Sequence, residues 1–112
     1  MSWHNSATEA VMADAFTEGL RLTILRLVNE CTGRSANESV LHSSLPILGF
    51  AVSRDRVRTE LMWLEEQGAI QVGRFDRPGD TALLIAQGTL RTDDIVNDRA
   101  RVAGIARPNA QG

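Results

Sequence analysis

Every basic residue of this chain is an arginine: there are twelve, with no lysine and no tyrosine. Guanidinium groups recognise phosphates and base edges through bidentate hydrogen bonds. A phosphate-loop lysine, a Schiff base and a tyrosine acid are excluded outright. Arg54, Arg56 and Arg58 crowd into one stretch with Thr59, and Arg74 and Arg77 fall in a turn-rich segment beyond it. These six are the candidate DNA contacts. Arg54 would reach a phosphate from the first turn of a helix, with Arg56 and Thr59 at bases or backbone and Arg58 nearer the core edge. Arg74 and Arg77 would enter a minor groove. Arg99, Arg101 and Arg107 form a second basic cluster, suited to a dimer arm or a disordered tail.

The charge balance counts against this reading. The net charge is −2 and the isoelectric point about 5.6, whereas a protein that mainly holds DNA carries a basic footprint. Asp55 and Glu66 share the outward face with Thr59 and Met62, and Asp76 and Asp80 flank the distal arginines. Asp55 alone could accept from cytosine N4. The plainer alternative is a solvated face with local pairs such as Arg56 with Glu60, each worth a few tenths of a kcal/mol. Met62 and Trp63 are then candidates for a protein contact, together with Phe16, Leu22, Leu25 and Val28 of an earlier segment, packing on the wing being the other reading of Trp63.

Catalytic constellations are lacking. His4 lies in a polar lead-in and His42 in a segment whose buried side is aliphatic, so neither completes a nucleophile and base set. Glu65-Glu66 and Asp93-Asp94 are adjacent within helices and should diverge. The lone Cys31 cannot form an internal disulfide, has no partner at metal-ligand spacing and continues a helical stripe, which predicts a buried structural thiol. We therefore expect no enzyme, metal or cofactor. Asn37-Glu38-Ser39 matches a glycosylation sequon by chance, since no secretion signal or long apolar span is apparent. The expected location is the host cytoplasm, without membrane contact.

The element that must position these residues spans Val52 to Val72. Ser53 is an N-cap with Asp55 in the first turn, so the helix starts at Arg54. Val52 and Val57 have hydrophobic-staple spacing. Val57, Leu61 and Leu64 form an inward stripe, and Gly68 ends the helix. Ile70-Gln71-Val72 alternates as a strand.

Around it, helix begins near Ala7 behind the Ser6–Glu9 capping spacing, with an interruption at Gly19. From Leu20 to Cys31 the helix is apolar on two sides: Phe16, Leu20, Ile24, Leu27 and Cys31 on one, Leu22, Leu25 and Val28 on the other. Either it is sandwiched within its own domain or its second face meets another subunit. The small size of the domain favours the second, a homodimer. Thr32-Gly33-Arg34 makes a turn, and Ser35 with Glu38 caps a helix from Ala36 to about Leu48, buried through Val40, Leu41, Leu45 and Leu48 and kinked or shortened by Pro46. Strands at about Ala69 to Phe75 and Thr81 to Ala86 flank a Pro-Gly turn. Thr89 caps a last helix over Leu90 to Asp98, docked by Ile95 and Val96. The fold class is mainly α with a small β-hairpin: a winged helix-turn-helix with a three-helix core, a two-stranded wing and a C-terminal helix or arm. Residues 1–8 form a flexible lead-in, 9–98 one domain, and 99–112 an arm or tail.

Three segments carry a family resemblance: Arg21-Leu22-Thr23-Ile24-Leu25-Arg26-Leu27; Val52 to Leu61 with Trp63-Leu64 and Gln67-Gly68; and Arg99-Ala100-Arg101-Val102 with Gly104 and Arg107-Pro108. Over roughly residues 12–108 the chain resembles a small family from Mu-like phages and prophages, described as winged-helix and similar to arsenic-repressor-type regulators. The resemblance implies a winged helix, a phage context and DNA binding. The metal-sensing relatives carry cysteines on the central helix, and none lies between Val52 and Val72 here, so metal sensing is not implied. The expected function is DNA binding or transcription regulation by a homodimer on double-stranded DNA. The alternative is a winged helix used as a protein–protein interaction module with a phage partner, in morphogenesis or DNA packaging.

Overall fold

The computed structural model describes residues 6–108. Trp3, His4, most of the expected lead-in and the Asn-Ala-Gln-Gly end lie outside the described residues, as do the side chains of Ser6 and Ala7. The chain runs α1 (Ser6–Glu30), β1 (Ser35–Asn37), α2 (Glu38–Ser44), a 3₁₀ turn (Leu45–Leu48), α3 (Arg54–Glu66), β2 (Ile70–Phe75), β3 (Leu83–Gly88) and α4 (Leu90–Val96). Four helices thus surround a three-stranded antiparallel sheet of order β1-β3-β2.

α1 passes through Gly19 without a break. Alanines at 7, 10, 13 and 15 favour helix strongly enough to absorb one glycine. The missing side chain is used in packing, because a Cβ at Gly19 would stand 3.6 Å from the Phe50 ring. Beyond it, both apolar faces of α1 are covered by the chain itself. Leu20, Leu22, Ile24, Leu25 and Val28 are all at most 1% exposed, with α4, β1 and β3 against the helix. Sandwiching within the domain therefore accounts for the two-faced pattern, and Leu22, Leu25 and Val28 offer no surface to a second subunit. Cys31 is half-buried.

The segment expected to begin α2 at Ala36 is instead a strand. Ser35, Ala36 and Asn37 pair with Gln87, Ala86 and Ile85 of β3, so backbone groups that a helix start would leave unpaired are bonded in the sheet. The helix cap moves to Asn37, whose side chain accepts from Val40 N at 2.9 Å. Pro46 shortens α2, and the last turn tightens to 3₁₀. Val40 and Leu48, expected on the buried side, are 46% and 51% exposed, while Leu41 and Leu45 are buried.

The central helix matches its sequence signals. Ser53 Oγ accepts from Arg56 N at 3.0 Å, and Val57, Leu61 and Leu64 are fully buried. Gly68 then turns the chain at φ 73°, a left-handed conformation that favours glycine. β2 and β3 pair in register from Ile70↔Gly88 to Phe75↔Leu83.

α4 is capped reciprocally: Thr89 N donates to Thr92 Oγ1 at 2.8 Å and Thr92 N donates to Thr89 Oγ1 at 3.4 Å. Thr92 is fully buried and its hydroxyl donates to Ala69 O at 2.5 Å, tying α4 to the α3–β2 junction. The following residues fold back over α1, where Ala106 N donates to Glu18 O at 3.1 Å and Ile105 is buried. Replacing Thr92 by valine keeps the volume but leaves Ala69 O and Thr89 N without this partner. Urea unfolding should show a loss of about 1–3 kcal/mol.

Candidate functional site

The arginines of α3 converge inward on two buried carboxylates. Glu38, first residue of α2, is 1% exposed. It accepts from Arg54 Nε at 3.1 Å, from Arg58 Nη1 and from the Leu84 amide at 2.8 Å. Arg58 Nη1 also donates to Ala82 O at 3.1 Å, and Arg54 Nη2 to Ser39 Oγ. Burial works to raise the Glu38 pKa, but the Leu84 amide and the two guanidiniums outweigh it and hold the carboxyl below its ordinary value. One side chain thus fastens α2 to α3 and β3.

Glu60, 3% exposed on α3, is the second anchor. Arg56 Nε, one turn earlier, donates to Oε2 at 2.7 Å, and Arg21 Nε of α1 donates to Oε1 at 2.7 Å. Arg56 Nη2 reaches Thr17 Oγ1 at 2.7 Å. The expected Arg56–Glu60 pair is present, but as part of a buried cluster joining α1 to α3.

Trp63 is covered rather than free. The Arg21 guanidinium carbon sits 3.6 Å from the centre of its ring system, a cation–π contact. Arg21 Nη1 donates to Gly104 O at 3.0 Å. Gly104 has φ 93°, and a Cβ there would stand 2.8 Å from the indole. Trp63 therefore lies between α1 and residues of the C-terminal segment, away from the β2–β3 hairpin. Met62 is partly buried against the core.

The remaining candidates are scattered. Thr59 Oγ1 donates back to Asp55 O at 3.0 Å. Arg77 Nη2 lies 3.1 Å from Thr81 O and 3.4 Å from Asp80. Arg74 is exposed. Phe16 is 40% exposed and its ring packs at 5.3 Å on Phe50. Asp93 and Asp94, expected to diverge, both bind Arg99, which follows the end of α4 and spans them with its fork. Asn29, Arg99 and Arg34 hold Asp93 below its ordinary pKa. Arg101 and Arg107 are exposed beside a groove of about 590 Å³ between α1 and the C-terminal segment, lined largely by small residues such as Ala15, Gly19, Ala103 and Ala106. No group of three His, Cys, Asp or Glu residues among the described residues could hold a metal ion, and no helix of the described chain is long and apolar enough to cross a membrane.

Sequence reasoning missed Glu38, Arg21 and Gly104 as parts of this arrangement. Glu38 and Arg54 are 16 residues apart and Arg21 and Glu60 are 39 apart, beyond any helical spacing. The available signal was the surplus of arginines in a chain of net negative charge.

The geometry defines a small, mainly helical domain whose central helix is pinned by buried arginine–glutamate clusters. No family model matches the chain. It is 40% identical over 95 residues, 85% of this chain and 93% of the relative, to “Uncharacterized protein gp26” of Escherichia phage Mu. It is 41% identical over 78 residues, 70% of this chain and 74% of the relative, to an “Uncharacterized protein” of Haemophilus influenzae. The chain belongs to the family of the Mu phage protein gp26.

Two substitutions probe the anchors. Glu38→Ala strands the Leu84 amide while Arg54 and Arg58 turn to water, so a loss of about 1–3 kcal/mol is expected by urea unfolding at neutral pH. Because the folded pKa of Glu38 is depressed, its contribution is fully present above the ordinary carboxyl value of 4.5. It is lost as pH falls from there through the folded pKa. Glu38→Gln should flatten that acid limb. Gly104→Ala should cost about 1–3 kcal/mol through strain at positive φ, with Trp63 fluorescence altered as the indole is displaced.

Proposed function

We propose that the chain is a non-enzymatic winged-helix protein of Mu-like phages and prophages whose surface serves contact with another protein, in morphogenesis or DNA packaging, rather than the reading of DNA. The winged-helix reading is supported by element order: three helices, a short connection between α2 and α3, and a hairpin leaving α3 directly. This is also the order of the arsenic-repressor-type regulators that the chain resembles. β1 makes the hairpin three-stranded, which such a fold accommodates by pairing the segment before α2 with the wing.

One observation carries the interaction reading. Arg54, Arg56 and Arg58 are bonded to Glu38 and Glu60, and the exposed residues that remain on α3 include Asp55, Glu65 and Glu66. A helix entering a major groove needs cations free to neutralise phosphates. Arg54 and Arg56 keep part of their side chains exposed, but drawing the guanidiniums away would strand two carboxylates in the interior. DNA binding is the second reading, favoured by Arg74, exposed on β2 and without an ion pair among the described residues.

Fluorescence anisotropy with a generic labelled duplex separates the two. We expect no binding at about 50 mM salt, where phosphate contacts are strongest. Binding that weakens steeply as salt is raised, and that Arg74→Ala reduces, would overturn the interaction reading in favour of DNA.

A further inference from the structure

The first half of α1 stands clear of the domain. No residue from 8 to 16 is buried or half-buried, and Val11 and Met12 are each 67% exposed. The next turn walls the groove of about 590 Å³, with Ala15, Glu18 and Gly19 on the helix side and residues 100–108 opposite. Ala106 N donates to Glu18 O, which brings Arg107, the next residue, beside that turn of the helix. At about 100° per residue, Val11, Asp14, Ala15 and Glu18 share an arc of about 100°. The face that walls the groove therefore continues along α1 into its uncovered half, as an apolar strip of Val11 and Ala15 edged by Asp14.

The charges on this surface are of both signs and unspent. Asp14 and Glu18 on the helix, and Arg101 and Arg107 on the opposite wall, make no side-chain hydrogen bond or ion pair among the described residues. Asp98, also in the lining, already has a partner. A partner of one sign would satisfy one of these pairs and oppose the other. A second copy brings both signs, in reversed order about a two-fold axis, which is what an isologous contact requires. We propose that two copies of the chain pair through this surface, the first halves of their α1 helices crossing antiparallel at Ala15 and each lying against the other's groove. With the crossing there, Val11 of one copy comes opposite Gly19 of the other. Asp14 comes opposite Phe16, about 3 Å of helical rise from Glu18, within reach of the second copy's Arg107. Ala15, Gly19, Ala103 and Ala106 are small enough to let the helices close to about 8 Å, the near end of the range for packed helices. This contact is separate from the later half of α1, whose second face the domain covers, and it does not depend on what α3 binds.

Sedimentation equilibrium of the full chain at low salt should show dimer populated at tens of micromolar. Val11→Asp with Ala15→Gln, a charge and added bulk at the crossing, should leave monomer. Both positions are exposed, and an unchanged circular dichroism spectrum at about 1 µM, below the range of association, would show that folding is intact. Two further variants read the charges. Asp14→Arg with Glu18→Arg makes the surface wholly basic apart from Asp98, and Arg101→Glu with Arg107→Glu makes it wholly acidic. Each alone should be monomeric, whereas their equimolar mixture should associate at least about tenfold more tightly than either, since each supplies the sign that the other lacks. Adding the Val11 and Ala15 changes to both should abolish that rescue, which misfolding cannot imitate. A chain monomeric at about 100 µM would overturn the proposal and leave the strip to a different protein. A dimer indifferent to the Val11 and Ala15 changes, or a mixture no tighter than its components, would overturn it equally.

Discussion

A carboxylate taken out of water must be met by cations and donors, or the protein is better off unfolded around it. Glu60 is met from two directions, by Arg56 one helical turn away and by Arg21 from another helix. Satisfying it fixes the distance and rotation of α1 against α3. Arg21 then uses Nη1 to hold Gly104 O and one face to cover Trp63, so the C-terminal segment is placed by the same requirement. Glu38 does the equivalent work on the other side, joining α2, α3 and β3. Replacing such pairs with apolar residues often preserves or raises stability. Their use here fits a role in specifying one arrangement of helices whose aliphatic contacts are interchangeable.

These clusters also alter how an arginine-rich helix is to be understood. Three arginines at alternate positions suggest a surface that seeks phosphate when only neighbours in sequence are considered. In the folded chain their guanidiniums are bonded at the junction of α3 with α1, α2 and β3, and the residues left outward are mixed or acidic. Through these pairs α3 anchors its neighbours, while large apolar side chains stand exposed on the first half of α1, at Val40, Ile47 and Leu48, and at Phe75 and Leu90.

Much of the fold was legible because its signals are local. The cap, staple, inward stripe and terminal glycine of α3 lie within about four residues of what they act on, and the start of α4 was equally explicit in Thr89. The elements that went unrecognised depend on distant partners. β1 is three residues without alternation, a strand only because β3 offers it hydrogen bonds. The two-sided apolar pattern of α1 was correct, but its cover was the domain itself, since α4 and the sheet close over the second face. At the site, the Arg56–Glu60 pair was foreseeable at helical spacing, whereas Glu38 with Arg54 and Arg58, and Arg21 with Glu60, are meetings that only the tertiary structure arranges.

The sheet carries one more consequence, for how molecules of this protein can and cannot associate. β3 is paired on both sides, so the rims are β1 and β2. β1 is only three residues long, too short to template a strand from another molecule. β2 is longer, but it carries Arg74 at the middle of an exposed stretch, and an arriving copy of that strand would bring like charge with it. Short and charged rims are the means by which natural sheets resist edge-to-edge growth into fibrils. Addition of a foreign strand through backbone hydrogen bonds, which cannot discriminate between one chain and another, is thereby disfavoured at both rims.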